Sequence, residues 1–149
     1  MNILEDHRIM QKLIVDLNED LNKGELDIDQ YTSLEKRLRD HIFIEETVIF
    51  PKLSSVPGIK DLLTGLKVEH GSFWMLMEKI DKSLDTESYW QIPRAANEML
   101  MIMQEHDLRE EKSIDPLILN MDLPTLLERP TDWKCEKAPK LISKKSLSD

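Results

Sequence analysis

Three observations predict an all-α fold, an up-down-up-down antiparallel four-helix bundle with a C-terminal tail. Apolar residues recur at heptad-like spacing in four blocks, short breaker-rich joints separate the blocks, and strand-type alternation is absent. Four amphipathic helices of roughly 20 to 25 residues joined by short loops bury their stripes as antiparallel neighbours.

The first block carries Ile3, Met10, Ile14, Leu17 and Leu21 and ends at Asn22-Lys23-Gly24, where Gly24 is placed to cap a helix C-terminus. The second opens around Asp27 to Asp29 as candidate N-caps, runs through Tyr31, Leu34, Leu38 and Val48, and is expected to cross Pro51 before stopping near Ser54-Ser55. Pro57-Gly58 is a joint. The third block carries Ile59, Leu62, Leu63, Leu66, Phe73, Met77, Ile80 and Leu84, and Asp85 to Ser88 reads as a loop. The fourth starts near Ile92, with Pro93 tolerated in a first turn, and passes Ala96, Met99 and Met103 to about Asp115-Pro116. The expected domains are a bundle over 1–118 and a tail over 119–149, punctuated by Pro124, Pro130 and Pro139 and lysine-rich at its end. Within the tail, Leu126, Leu127 and Trp133 are the candidates for docking on the bundle.

At 149 residues the chain suffices for one domain with a real core. A net charge of −9 argues against nucleic acid or an anionic membrane as the main partner. One cysteine, Cys135, excludes an intramolecular disulfide and a cysteine zinc knuckle and suits a reducing compartment. The N-terminus has no basic stretch followed by an apolar run, and no segment approaches about 18 uninterrupted apolar residues, so the expected location is the cytoplasm.

Extending each apolar stripe shows which polar residues it swallows. The first includes His7, the second His41 and Glu45, the third His70, and the fourth His106 and Glu110, so all four histidines of the chain lie on inward stripes. Glu45 and Glu110 each follow a histidine at i+4, one turn on along the same face. Each histidine stands about 13 to 18 residues from the joints flanking its helix, which at 1.5 Å per residue brings all of them to nearly one level. Six such groups in one layer would each cost several kcal/mol unless paired or bound to metal. Hydrogen-bonded core histidines with glutamate partners are one solution. Two divalent ions held by neutral imidazoles and bridging carboxylates are the other, and mixed N and O donors suit iron, manganese or zinc.

The pieces EDH (5–7), HIFIEETVIFP (41–51), EH (69–70) and HDLREE (106–111) resemble, in order and spacing, the successive helices of the hemerythrin-like (HHE cation-binding) domain family over residues 1 to about 118. The two HxxxEE pieces are the specific part. The resemblance implies a four-helix bundle with a non-heme di-iron centre, cycling between ferrous and ferric states and bridged by oxygen or hydroxide. It implies that His7 and His41 hold one iron, His70 and His106 the other, and that Glu45 and Glu110 bridge. Oxygen carriers of the family have a further histidine one turn after the third-helix one, where this chain has Trp74. Trp74 is therefore expected to fill that space beside the second iron, a departure that tells against reversible oxygen carriage. Glu46, Glu69 and Glu111 adjoin proposed ligands but point about 100° away on a helix, which suits solvated or supporting roles. Met10, Phe73, Trp74, Met77, Ile102 and Met103 would wall the site, most simply as ordinary core packing. The expected function is a non-catalytic protein that binds dioxygen or senses oxygen or iron. The alternatives are a small redox enzyme acting on peroxide, oxygen or nitric oxide, and an iron storage or donor protein.

Overall fold

The computed structural model describes residues 3–119, 121 and 127–140, and among these the chain is helical with no strand. Helix α1 (Ile3–Asn22) buries Ile3, His7, Met10, Ile14 and Leu17 along one stripe. It ends as its glycine predicts. Gly24 has φ +77°, a left-handed conformation that favours glycine, with its N–H donating to Leu21 O and that of Glu25 to Asp20 O. Helix α2 (Ile28–Ile44) starts at Asp27, whose side chain accepts from the Gln30 N–H.

Block two does cross Pro51, by a route the sequence did not announce. Helix α2 runs without a break into a π-helical turn (Glu45–Ile49) and then helix α3 (Phe50–Leu53). Proline has no N–H to donate, and its ring crowds the carbonyl four residues back. The wider π turn immediately before Pro51, closed by the Phe50 N–H on Glu45 O, opens the ladder where that carbonyl lies. After a joint in which Gly58 has φ +77°, helix α4 (Lys60–Asp85) crosses the molecule. A 3-10 turn (Tyr89–Gln91) leads into helix α5 (Ile92–Ser113), with Pro93 in its first turn, and a short helix α6 (Asp115–Ile118) follows.

Helix α1 packs against α2 and α5, and α4 packs against α5 and more sparsely α2, closing a ring of four. The apolar interior is in two pieces. One is built on Met10, Ile14, Leu34, Leu38, Phe73, Met77, Met99 and Met103, the other on Ile3, Ile49, Phe50, Leu53, Leu66 and Ile114. Helices α1, α2 and α4 contribute to both pieces, α5 to the first with Ile114 of the second just past its end, and a buried histidine stands near each passage between them. None of the described helices is long and apolar enough to cross a membrane.

Part of the tail lies on this bundle. Trp133 packs against both apolar clusters, edge-on to Phe43 and to Trp74, and Cys135 is buried in the larger cluster. Of the other residues expected to dock, Leu127 is 39% exposed and Leu126 lies outside the described residues.

At the end of the bundle away from α3, the Tyr31 hydroxyl lies 2.9 Å from Asp81 Oδ1, 3.1 Å from Met77 O and 3.3 Å from Glu35 Oε2. Arg39 donates to Glu35 and Asp81 and covers the Trp74 ring at 4.4 Å. Burial, then the hydrogen bond and charge of Asp81, push the Glu35 carboxyl up to about 7, against the pull of Arg39. A carboxyl whose pKa is higher folded than unfolded loses stabilisation as pH rises from its unfolded value through its folded one. Glu35→Gln is therefore expected to gain stability relative to the parent between pH about 4.5 and about 7, read from urea midpoints at the two ends of that window.

Two glycines give opposite signs. Gly65 lies inside α4 with nothing within 4 Å of where a side-chain methyl would stand, so Gly65→Ala is expected to stabilise by about 0.5 to 1 kcal/mol. Gly24→Ala forces an alanine to positive φ and is expected to destabilise by about 1 to 2 kcal/mol. Thermal unfolding of the two variants side by side checks both.

Candidate metal centre

The six residues expected to converge do converge. His7, Glu45, His70 and Glu110 have no exposed surface, and His41 and His106 have 3% each. His7 Nε2 lies 3.2 Å from His41 Nε2, while Glu45 Oε1 lies 3.2 Å from His41 Nε2 and 3.2 Å from His70 Nε2. Glu110 Oε1 is against His106 Nε2, and its Oε2 is 3.8 Å from His7 Nε2. Two overlapping sets of donors result. Glu45, His70, His106 and Glu110 form one, His7, His41 and Glu110 the other, each with one ligand atom per residue and all of these within 4.8 Å of one another.

Three imidazoles are held from behind. His41 Nδ1 is 2.6 Å from Asp6 Oδ2, His70 Nδ1 is 2.6 Å from Glu46 Oε2, and His106 Nδ1 is 3.0 Å from Glu69 Oε1. A carboxylate at Nδ1 assigns that nitrogen a proton, so that in the neutral ring the Nε2 lone pair faces the layer. Glu69 is itself paired with Arg109. His7 differs, since its Nδ1 faces Glu111 Oε1 at 3.5 Å without making a hydrogen bond.

The supporting roles read for Glu46 and Glu69 match these contacts. Asp6 and Asp107 were missed as contributors. Asp6 follows Glu5 in the first motif, and only the packing of α1 on α2 brings it to His41. Asp107 is 3% exposed, accepts from Gln11 Nε2 at 2.9 Å and lies 3.7 Å from His7 Nε2.

The π turn explains how Glu45 and Glu46 both reach His70. An i→i+5 turn winds less per residue than an α-helix, so consecutive side chains diverge less, and the two carboxylates bracket the ring at its two nitrogens. Phe50 stacks on the same ring at 5.7 Å and Phe73 stands edge-on to His106 at 5.4 Å. The Trp74 ring meets Arg39 at 4.4 Å and Trp133 at 5.6 Å, contacts toward α2 and the tail that its spacing from His70 did not announce.

Without a cation, protons neutralise the layer. Burial lowers His7 to about 4, helped by the neighbouring His41, so this ring is neutral. Burial also disfavours charge on His41, His70 and His106, but the carboxylates around them outweigh it and raise all three. Glu45, opposed by burial, is held well below its ordinary value by His41 and the hydrogen bonds it receives. Burial and the charge of Glu45 push Glu110 up to about 8. Even so, Glu45 Oε2 and both oxygens of Glu110 make no hydrogen bond, the short approach of Glu110 Oε1 to His106 lacking the alignment of one. Buried carboxylate oxygens left without donors, facing inward Nε2 atoms, fit a divalent cation pair of the N,O-binding kind.

Asp6 is the simplest of these supports to test. Burial raises its pKa, but the hydrogen bond and charge of His41 win and hold the carboxyl low. Asp6→Ala leaves the His41 Nδ1–H without its acceptor and is expected to cost about 1 to 3 kcal/mol in the metal-free protein, read by urea unfolding.

The hemerythrin HHE cation-binding domain family matches residues 2–118. No curated protein and no solved structure matches the chain significantly. With most of the chain inside that match and the buried His and Glu residues of its helices assembled into one layer, the protein belongs to the hemerythrin HHE cation-binding domain family.

Proposed function

We propose that the layer is a dinuclear iron centre that binds dioxygen or reports oxygen or iron status. In this reading His7 and His41 hold one ion, His70 and His106 the second, and Glu45 and Glu110 are shared. The observation that carries it is the pair of overlapping donor sets with Glu110 in both and Glu45 Oε1 equidistant from His41 and His70. Bound iron supplies open coordination positions and one-electron chemistry for a small ligand.

The chain's own residues do the rest. Asp6, Glu46 and Glu69 orient the imidazoles and make them more basic. Met10, Phe50, Phe73 and Met103 keep water from the layer's two faces. A cleft of about 360 Å³ between α1 and α2, lined by Glu5, Asp6, Ile9, Arg37, Asp40, His41 and Ile44, brings solvent to the His41 side and is the proposed entry for a small ligand. A second reading, reduction of peroxide, oxygen or nitric oxide, is favoured by Asp107. This buried carboxylate accepts from Gln11 Nε2 and stands 3.7 Å from His7 Nε2, within reach of a group bound in the layer.

Iron-reconstituted protein is expected to contain about two ions per chain and to melt lower after chelation, because the ions bind only the folded layer. Glu110→Gln removes charge from both donor sets and Glu45→Gln from a carboxylate whose Oε1 lies 3.2 Å from both His41 and His70, so either is expected to lower occupancy of both ions together, while His7→Ala mainly weakens one. Elemental analysis giving the same metal content in all three variants overturns the assignment. Admitting oxygen to the anaerobic ferrous protein separates the two readings: a stable, reversible visible band is expected for binding, and rapid turnover of peroxide for the enzyme.

A further inference from the structure

We propose that residues 127–140 are a strap whose seating on α4 positions His70 through Glu46, so that holding the strap and holding metal on the His70 side are one coupled equilibrium. The coupling rests on the metal-centre reading above; the strap's hold on His70 does not. A positioning contact carries the argument. The backbone N–H of Glu136 donates to Glu46 Oε1 at 2.9 Å, and the other oxygen of the same carboxylate, Oε2, takes His70 Nδ1 at 2.6 Å. One carboxylate thus joins the strap's backbone to the imidazole.

The helix beneath is built for the crossing. Gly71, the residue after His70, lies inside α4, where glycine costs about 1 kcal/mol relative to alanine. A Cβ there would stand 2.4 Å from the carbonyl oxygen of Lys137 and 3.0 Å from its carbonyl carbon. Only a residue without a side chain lets the strap's backbone come down beside His70. Gly65, earlier in the same helix, has no such neighbour.

The strap is anchored along the residues that lead to this point. Arg129 pairs with Asp40, the residue before His41, at 3.0 Å, and Lys67 pairs with Glu136 at 3.1 Å. Trp133 wedges against Phe43 and Trp74, and Trp74 is backed in turn by Arg39. Cys135 is 4% exposed, and burial pushes its thiol up to about 12. A seated strap therefore hides the only thiol of the chain, which makes that thiol a reporter of seating.

If the strap lifts, Glu46 loses a donor and its fixed position, and the His70 ring loses the support that aims Nε2 into the layer. Removing such a support costs a metal site about tenfold to a hundredfold in affinity. By linkage, metal must favour the seated strap by the same factor.

The test uses the full chain and two variants. Gly71→Ala blocks the seat while favouring the helix, and Trp133→Ala removes the wedge on the opposite flank. Three readouts are compared with the parent: labelling of Cys135 by a disulfide reagent, solvent exchange of the His70 Nδ1 proton by NMR in the metal-free protein, and ferrous iron release to a chelator. Expected are labelling about tenfold faster in both variants, faster exchange of the His70 proton, and iron affinity lower by about tenfold or more. Iron added to the parent should slow labelling by a like factor. Faster labelling with unchanged His70 exchange and unchanged iron retention overturns the proposal, since the strap would then be packing alone. Labelling unchanged in both folded variants overturns it too. A parent that holds no metal, with His70 exchange still faster in the variants, removes the centre and the coupling but leaves the strap as a positioning element.

Discussion

The structure turns on one constraint: four imidazoles and two carboxylates stand in a layer that cuts the apolar interior in two. An uninterrupted core would be simpler to build, and replacing buried polar groups with apolar ones of similar shape often leaves stability unharmed or improves it. Here each long helix interrupts its apolar stripe at the same height. Three oxygens of the two carboxylates have no aligned hydrogen-bond donor, so the layer holds buried acceptor capacity that the polar groups around it leave open. A layer of that kind is stable in proportion to what it binds, which ties the fold's cohesion to its proposed cofactor.

Around the layer runs a ring of acidic residues that makes the inner geometry possible. Asp6, Glu46 and Glu69 each take the Nδ1 proton of one histidine, and each comes from a different helix from the ring it holds. The histidines are thus aimed by helix packing rather than by their own helices. His7, whose Nδ1 has no hydrogen bond, is the exception, and it is also the ring that burial keeps neutral. The two donor sets are consequently unequal: one has both rings supported, the other only His41.

The acidic ring also explains the place of the C-terminal strap. Glu46 has two oxygens and His70 uses one, so the second is free to receive a backbone N–H from outside the bundle. The π turn before Pro51 matters here, because Glu46 leaves the chain within it, where consecutive side chains diverge less than in an α-helix. Gly71 completes the fit by removing the side chain that would keep the strap away.

The sequence by itself determined the four helices, their joints, the antiparallel order and the six residues of the layer. These follow from periodicity, from glycine and proline chemistry, and from the level that a 1.5 Å rise assigns to each stripe position, all of them local properties of the chain. Gly24 and Asp27 act as their residue types predict. Only the tertiary structure decided which carboxylate supports which imidazole, since the partners of His41, His70 and His106 lie 24 to 37 residues away along the chain. It decided the π turn as well, because period alone does not distinguish a widened turn from an α-helix that tolerates Pro51. Trp74 shows the limit most clearly. Sequence spacing put it on the face of His70, but its contacts with Arg39 of α2 and Trp133 of the strap come from elements that no local pattern brings beside it.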